Sequence, residues 1–129
     1  MVSTDHGFEP QKGLVHRLKN LDCFNDKAYR EEYAKSDEHN EELCDDTLIT
    51  PLTPFGSRVL FRVLEFEELV DSSCVTLESQ IQMAEVIEKN YEGYDGFVLC
   101  HGTDTMAYTG ATLSFMLENL SKTVVLTGS

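Results

Sequence analysis

The chain has 129 residues, of which 41% are hydrophobic and 9% aromatic, and this composition suits one modest folded core rather than a wholly disordered polypeptide. Its formal charge of −13 at pH 7, with a pI near 4.5, disfavours binding to nucleic acid or to an anionic membrane surface. No apolar run approaches the roughly 20 residues of a membrane span, and the N-terminus lacks the basic and apolar regions of a signal peptide.

Cysteine usage predicts reduced thiols in a cytoplasmic protein. The four cysteines form no Cys-x-x-Cys pair and no Cys/His spacing of the kind that binds metal: Cys23, Cys44, Cys74 and Cys100. The cysteines therefore give no indication of a metal site.

The first half of the chain carries one charged segment and several short apolar patterns. Apolar side chains recur at helical spacing within residues 10–21, which predicts a short amphipathic helix. Residues 31–46 contain eight Asp or Glu side chains and one Lys, and we interpret them as a solvated loop or a frayed helix. Residues 47–54 predict a strand edge limited by two prolines, and residues 59–66 predict a further strand.

The second half is more regularly patterned. Residues 71–76 are polar and predict a turn before a helix over residues 77–91, whose apolar face comprises Leu77, Ile81, Ala84, Ile87 and Tyr91. The apolar runs 96–100 and 123–127 predict strands, the first of them covered on both faces. Residues 106–120 are apolar around most of the circumference and predict a buried helix. We expect close packing where this helix carries small residues, at Ala107, Gly110 and Ala111.

The order strand, helix, strand, helix, strand predicts an α/β fold, with a parallel sheet and flanking helices. Right-handed crossovers place the carboxyl ends of parallel strands at one edge of the sheet, where ligands bind. We therefore expect the polar loops 71–76 and 101–105 to lie at that edge.

The loop 101–105, His-Gly-Thr-Asp-Thr, carries the strongest indication of chemistry. Thr103 offers a hydroxyl and Asp104 a carboxylate, and a hydroxyl becomes a useful nucleophile once a base or a positive partner activates it. The structural alternative is that both residues cap the following helix. His101 is either a general base or a loop histidine satisfied by the backbone, and Cys100 is expected to be core.

The sequence of residues 95–129, DGFVLCHGTDTMAYTGATLSFMLENLSKTVVLTGS, closely resembles that of L-asparaginases, in particular the cytosolic type I group. In that family a Gly-Thr-Asp motif on the same strand–helix–strand unit acts on the substrate amide. Residues 71–76, DSSCVT, are similar to the family's Asp-Ser-Ser substrate loop, although Cys-Val follows where Asp-Met is more usual. The resemblance covers residues 57–129 well and residues 1–56 loosely, and it implies the Rossmann-like N-terminal domain of the family.

The resemblance also implies roles for five residues. Asp71, Ser72 and Ser73 match the loop that holds the α-carboxylate and neighbouring polar groups of asparagine. Thr103 resembles the family's second catalytic threonine. Asp104 resembles the aspartate that holds the substrate amino group and pairs with a lysine. The implied chemistry needs no metal and no cofactor.

Two departures from the family pattern concern the ends of the chain. The first nucleophilic threonine of the family lies in a Thr-Gly-Gly-Thr-Ile segment that is absent here, and the paired lysine lies beyond residue 129. We therefore expect residues 1–129 to be a partial N-terminal domain, truncated at both ends, without the first strand and the C-terminal domain, and inactive in isolation. The loop after the first threonine often carries a tyrosine in the family, whereas this chain has Phe8, which lacks the phenolic hydroxyl.

The implied activity is an amidohydrolase that converts L-asparagine and water to L-aspartate and ammonia, in a cytoplasmic homo-oligomer. Family alternatives are an amidotransferase subunit and an asparaginase fused to modules with lysophospholipase activity. A non-catalytic remnant that keeps the fold is an alternative of a different class. A flavodoxin-like phosphate binder would require Gly-rich phosphate loops, which the sequence lacks. Neither nucleic acid nor a membrane is an expected partner.

Overall fold

The computed structural model describes residues 2–5, 7–9, 11–35 and 46–128, and it contains both helices and strands. The strands are β1 (Val2–Thr4), β2 (Gly7–Glu9), β3 (Leu48–Ile49), β4 (Leu60–Phe61), β5 (Gly96–Cys100) and β6 (Thr123–Thr127). The α-helices are α1 (Leu14–Leu18), α2 (Lys27–Tyr33), α3 (Leu77–Asn90) and α4 (Met106–Met116). The chain divides into two compact units, Met1–Leu69 and Val70–Ser129. Among the described residues, no helix combines the length and the apolar character that crossing a bilayer requires.

The first unit is built around β3, because both of its side chains, Leu48 and Ile49, are fully buried. Helix α2 begins after Asp26, whose carboxylate accepts a hydrogen bond from the Tyr29 N–H at 3.1 Å. The Arg58 guanidinium donates to the same carboxylate at 2.7 Å and lies 3.9 Å from the centre of the Tyr29 ring. The hydrogen bond from the Tyr29 N–H, and to a smaller extent the one from Arg58, holds the pKa of Asp26 below its usual range.

The first unit confirms the strand within residues 47–54 but changes two other predictions. The helix expected over residues 10–21 is limited to α1, none of whose residues is buried. The strand expected over residues 59–66 shortens to β4, which pairs antiparallel with β3 instead of joining the parallel sheet. The Glu65 carboxylate instead accepts a hydrogen bond from the Gly13 N–H at 2.9 Å, so its side chain serves a contact to α1.

The sequence pattern does not predict three further elements of the first unit, strands β1 and β2 and helix α2. Strands β1 and β2 form an antiparallel hairpin, in register from Val2 opposite Glu9 to Thr4 opposite Gly7. Helix α2 takes up the beginning of the acidic segment. Most of that segment, residues 36–45, lies outside the described residues.

The second unit contains the predicted parallel pair. Strands β5 and β6 are paired in parallel, in register from Gly96 with Thr123 to Cys100 with Thr127, and α4 connects them. This β–α–β arrangement with a flanking helix confirms the predicted α/β class. It also places the loop that follows β5 at the carboxyl edge of the pair.

Helix α3 begins and ends where the pattern predicts, but it buries a different face. Thr76 precedes it, and the Thr76 hydroxyl accepts a hydrogen bond from the Ser79 N–H at 3.3 Å. Ile87 is buried as expected, whereas Leu77 is 55% exposed and Gln80 is buried. The buried face is therefore rotated toward a polar residue.

The expectation that β5 is covered on both faces is wrong. Exposed and half-buried residues alternate along β5 and β6, so one face of the pair is open, with Val98 64% exposed and Val125 43% exposed. Cys100 lies on this exposed side of the alternation, and the expectation that it is core is wrong for the same reason.

The expectation of a helix buried all round over residues 106–120 is also wrong. Helix α4 ends at Met116, and only Thr109 and Leu113 are buried within it, whereas Phe115 is 81% exposed. A methyl group added at Gly110 would meet the side chain of Leu126 at 3.9 Å, an ordinary van der Waals distance. Close packing therefore does not require glycine at this position.

Candidate active site

The two predicted loops meet at the carboxyl edge of the parallel pair. The Ser72 hydroxyl donates a hydrogen bond to Oδ2 of Asp104 at 3.0 Å. In return, the Thr105 hydroxyl donates to the Ser72 carbonyl oxygen at 2.6 Å. The residue that directly precedes α4 is Thr105 rather than Asp104, and no described side chain caps the helix. The Asp104 carboxylate therefore does not act as the helix cap that was the structural alternative. The carboxylate instead ties the 101–105 loop to the 71–76 loop.

The 71–76 loop is shaped by Asp71. Its side chain accepts hydrogen bonds from the Ser73 N–H at 3.0 Å and from the Ser73 hydroxyl at 2.6 Å. These two donors, the hydroxyl first, hold the pKa of the Asp71 carboxyl below its usual range. Residues Ser72–Cys74 form a single 3-10 turn in which only Ser72 is buried. The turn therefore aims Ser72 inward at Asp104 and leaves Asp71 and Ser73 exposed.

Thr103 and Asp104 are both exposed at the tip of the second loop. The Thr103 hydroxyl has no hydrogen-bond partner among the residues that the structure describes. Asp104 uses Oδ2 for Ser72, and within the same described ranges its Oδ1 has no partner. A hydroxyl and a carboxylate oxygen are therefore both available to a ligand at this edge, and they do not bind each other.

Two glycines allow the backbone to pass through this site. A Cβ atom at Gly102 would lie 2.4 Å from Oγ and 2.7 Å from Cβ of Ser72. A Cβ atom at Gly128 would lie 1.5 Å from the carbonyl oxygen of His101. Both distances are far inside van der Waals contact, so each position requires the absence of a side chain. The approach of the loops thus depends on Gly102.

His101 is buried, and both nitrogens of its ring have partners. Nδ1 lies 2.6 Å from the Gly102 carbonyl oxygen, and Nε2 lies 3.0 Å from the Thr109 hydroxyl. The structure thus supports a satisfied loop histidine over a free general base. The Thr109 hydroxyl also lies 3.3 Å from the amide nitrogen of Gln80, and all three side chains are buried.

Gln80 and Thr109 support the 101–105 loop through His101, and the sequence pattern does not identify them as site residues. Each occupies a helical position that faces the interior, where apolar residues are the usual occupants. The sequence pattern gives no indication of their burial. The hydrogen bond between Gln80 and Thr109 accounts for Gln80, rather than Leu77, facing inward on α3.

Residues 7–129 match the family model described as the N-terminal domain of asparaginase. The chain belongs to the asparaginase family. The "60 kDa lysophospholipase" of Mus musculus is 47% identical over 120 residues, which cover 93% of this chain and 20% of that protein. The "L-asparaginase" of Dirofilaria immitis is 38% identical over 130 residues, which cover 100% of this chain and 21% of that protein.

A solved asparaginase also resembles this family member in structure. L-asparaginase I from Vibrio cholerae O1 biovar eltor str. N16961 superposes with a TM-score of 0.53 and 40% sequence identity, over 78% of this chain and 26% of that chain. The asparaginase resemblance found in the sequence is thereby confirmed. The chain spans about a fifth of the length of the curated asparaginase-family relatives described above.

The roles of the five site residues stay predictions, as do the homo-oligomeric state, the cytoplasmic location and the partial domain over residues 1–129. The structure shows how these five residues are arranged in this asparaginase-family chain. It joins Ser72 to Asp104 directly and joins Asp71 to Ser73, while Thr103 remains open.

Proposed function

We propose that this chain supplies the amino-acid-binding edge of an asparaginase that hydrolyses L-asparagine to L-aspartate and ammonia. The observation that carries the proposal is the hydrogen bond from the Ser72 hydroxyl to Asp104, at 3.0 Å. This bond orients the carboxylate and leaves its Oδ1 open to a ligand. An exposed, oriented carboxylate oxygen suits the α-ammonium group of an amino acid.

The opposite end of the substrate requires polar groups that can accept or donate hydrogen bonds. Asp71, Ser72 and Ser73 lie on the adjoining turn, and the hydrogen bonds from Ser73 to Asp71 hold that turn in one conformation. We assign the α-carboxylate and neighbouring polar groups of asparagine to this turn. Holding the substrate through both of its charged ends orients the side-chain amide for reaction.

Thr103 is the proposed catalytic residue, because its hydroxyl is exposed beside the carboxylate that binds the substrate. In the proposed reaction the bond between the amide carbon and nitrogen breaks, water supplies the hydroxyl of the new carboxylate, and nitrogen leaves as ammonia. A threonine hydroxyl needs a base or a positive partner to act at neutral pH. Asp104 does not serve as that base in the described contacts, since the Thr103 hydroxyl makes no hydrogen bond to its carboxylate, which accepts from Ser72 instead.

The test is ammonia release from L-asparagine by the full-length product of the gene. We expect Asp104→Asn to lower kcat/KM by about tenfold to hundredfold, because a charge-assisted hydrogen bond becomes a neutral one. Asp95→Asn is the matched control, since it removes the same charge from an exposed residue before β5, at the other end of the strand. Equal activity in the two variants would contradict the assignment of Asp104.

Thr103 is tested by Thr103→Ala in the same assay. Removing the reactive hydroxyl is expected to lower kcat by several orders of magnitude with substrate binding preserved. Thr103→Ser retains a hydroxyl and is expected to retain more activity than Thr103→Ala. Full activity in Thr103→Ala would rule out this threonine as the catalytic group.

Lysophospholipase activity is the second candidate, and the name of the mouse relative, 47% identical, favours it. The assay is release of fatty acid from lysophosphatidylcholine by the same preparations. If one site performs both reactions, Thr103→Ala abolishes both. Fatty-acid release that survives Thr103→Ala would assign the lipid activity to a different site.

A further inference from the structure

A continuous chain of three buried polar side chains lies beneath the loop that carries Thr103. Gln80 of α3 is 8% exposed, Thr109 of α4 is fully buried, and His101 is 7% exposed. The contacts run from Gln80 Nε2 to Thr109 Oγ1 at 3.3 Å, from Thr109 Oγ1 to His101 Nε2 at 3.0 Å, and from His101 Nδ1 to the Gly102 carbonyl at 2.6 Å. Both helices of the second unit are thus connected to one loop.

The Gly102 carbonyl at one end fixes the hydrogen on Nδ1 of His101, and a neutral ring then gives a consistent assignment of the other hydrogens. The Gly102 carbonyl can only accept, so the hydrogen must lie on Nδ1 of His101. The amide nitrogen of Gln80 can only donate, so the Thr109 oxygen accepts there and its hydroxyl hydrogen is free to point at Nε2. In a neutral ring with Nδ1 protonated, Nε2 is an acceptor, and each of the three contacts is satisfied.

The last contact acts on the residue that we assign to catalysis. The Gly102 carbonyl belongs to the planar peptide unit that also contains the Thr103 nitrogen, so fixing the carbonyl fixes the direction in which the chain enters Thr103. The backbone N–H of His101 donates to the Thr127 carbonyl at 2.7 Å, which anchors the same residue to the end of β6. The ring and the backbone of His101 therefore hold the loop from two directions.

We infer that His101 is a positioning residue: a neutral imidazole protonated on Nδ1 that fixes the Gly102–Thr103 peptide, held in this tautomer by Thr109 and Gln80. It acts through Thr103 and does not touch the substrate. The assigned tautomer stands on the contacts alone, whereas its effect on catalysis rests on the proposed function. Among the described residues, the side chain that hydrogen-bonds to the ring is the uncharged Thr109, and the carboxylate of the same loop, Asp104, is bound to Ser72.

The tautomer is tested by nitrogen-15 NMR of the imidazole in the full-length protein near neutral pH. We expect a protonated Nδ1 and an unprotonated Nε2 for His101. A ring protonated on Nε2, or on both nitrogens, would overturn the inference. This measurement needs no substrate, so it remains decisive if the protein releases no ammonia from asparagine and the proposed function itself fails.

The positioning role is tested by substitution at Thr109. Thr109→Val removes the hydroxyl at nearly constant volume, and we expect kcat for asparagine to fall by about tenfold or more with a smaller change in KM. Thr109→Ser restores the hydroxyl and is expected to recover most of the loss. Thr112→Val is the matched control, because in the described part of the chain the Thr112 hydroxyl bonds to the Tyr108 carbonyl of the same helix, at 3.0 Å, and not to the His101 network. Lower thermal stability in Thr109→Val with an unchanged kcat would show that the hydrogen bonds from Gln80 through His101 have only a structural role, and it would contradict the inference.

Discussion

Gly102 lies so close to Ser72 that one methyl group determines whether the two loops can meet. The Ser72 side chain is anchored by Asp104, so it cannot rotate away without losing that hydrogen bond. A residue at position 102 with a Cβ atom must push one loop from the other, because the contact would be 2.4 Å.

We therefore expect Gly102→Ala to destabilise the second unit by about 1–3 kcal/mol, the usual cost of overpacking, and to lower asparagine hydrolysis. Urea denaturation and ammonia release measure the two effects. Gly93→Ala is the control, because nothing lies within 4 Å of the added atom there. A stable, active Gly102→Ala protein would show that the loops can separate without loss.

The hydrogen bonds from Ser73 to Asp71 make a pH-dependent contribution to stability. They lower the pKa of Asp71 in the folded state, so this contribution is present above the ordinary aspartate pKa of about 3.9 and is lost as pH falls through the lower folded value. We expect Asp71→Asn to lower the melting temperature at neutral pH, with the difference from wild type closing as the pH falls through the lowered pKa of Asp71 in the folded protein. A difference for Asp71→Asn that is constant with pH would contradict the prediction.

At the residue scale, the sequence indicates the groups on the loops better than those beneath them. Thr103, Asp104 and Ser72 are recognisable because polar residues follow strands and match a family motif. Gln80 and Thr109 are not, because their importance lies in a contact between two helices, which hydrophobic periodicity does not reveal.

At the scale of elements, α4 offers a substitution that should stabilise the protein. Gly110 lies inside the helix, and an added methyl group would make only ordinary contact with Leu126 at 3.9 Å. We expect Gly110→Ala to raise the free energy of unfolding by about 0.5–1 kcal/mol, since alanine has less backbone entropy to lose than glycine. Ala111→Gly, at an exposed position of the same helix, should lower it by a similar amount in urea denaturation. A destabilised Gly110→Ala protein would mean that close packing does require this glycine.

The longer elements were predictable from the sequence and the shorter ones were not. Helix α3 has a helical apolar periodicity and strands β5 and β6 are continuous apolar runs, and all three elements occur where predicted. Strand β4 has two residues and pairs with β3, and a pairing partner cannot be read from a short apolar run. The burial of α4 was overestimated because apolar composition does not reveal that the described residues leave one face of β5 and β6 exposed.

For the whole molecule, the formal charge of −13 at pH 7 predicts that salt stabilises the fold. Raising ionic strength from about 0.01 M to 0.15 M shortens the Debye length from about 30 Å to about 8 Å, which screens repulsion among the carboxylates. We expect the melting temperature to rise with sodium chloride at pH 7, and to depend little on it near the pI of about 4.5. A fall at pH 7 would show that ion pairs such as Arg58–Asp26 outweigh the net repulsion.

The contact between Gly128 and His101 determines which amino acids the edge of the sheet can accept. A Cβ atom would lie 1.5 Å from a carbonyl oxygen, roughly the length of a covalent bond, and no rotamer change relieves a clash with backbone. In a library of all single substitutions, position 128 should accept glycine alone, while half-buried Val124 in β6 should accept other apolar residues. Intolerance at Gly128 would then reflect the short distance between two backbone segments. A screen that measures only activity would wrongly suggest that Gly128 has a catalytic role.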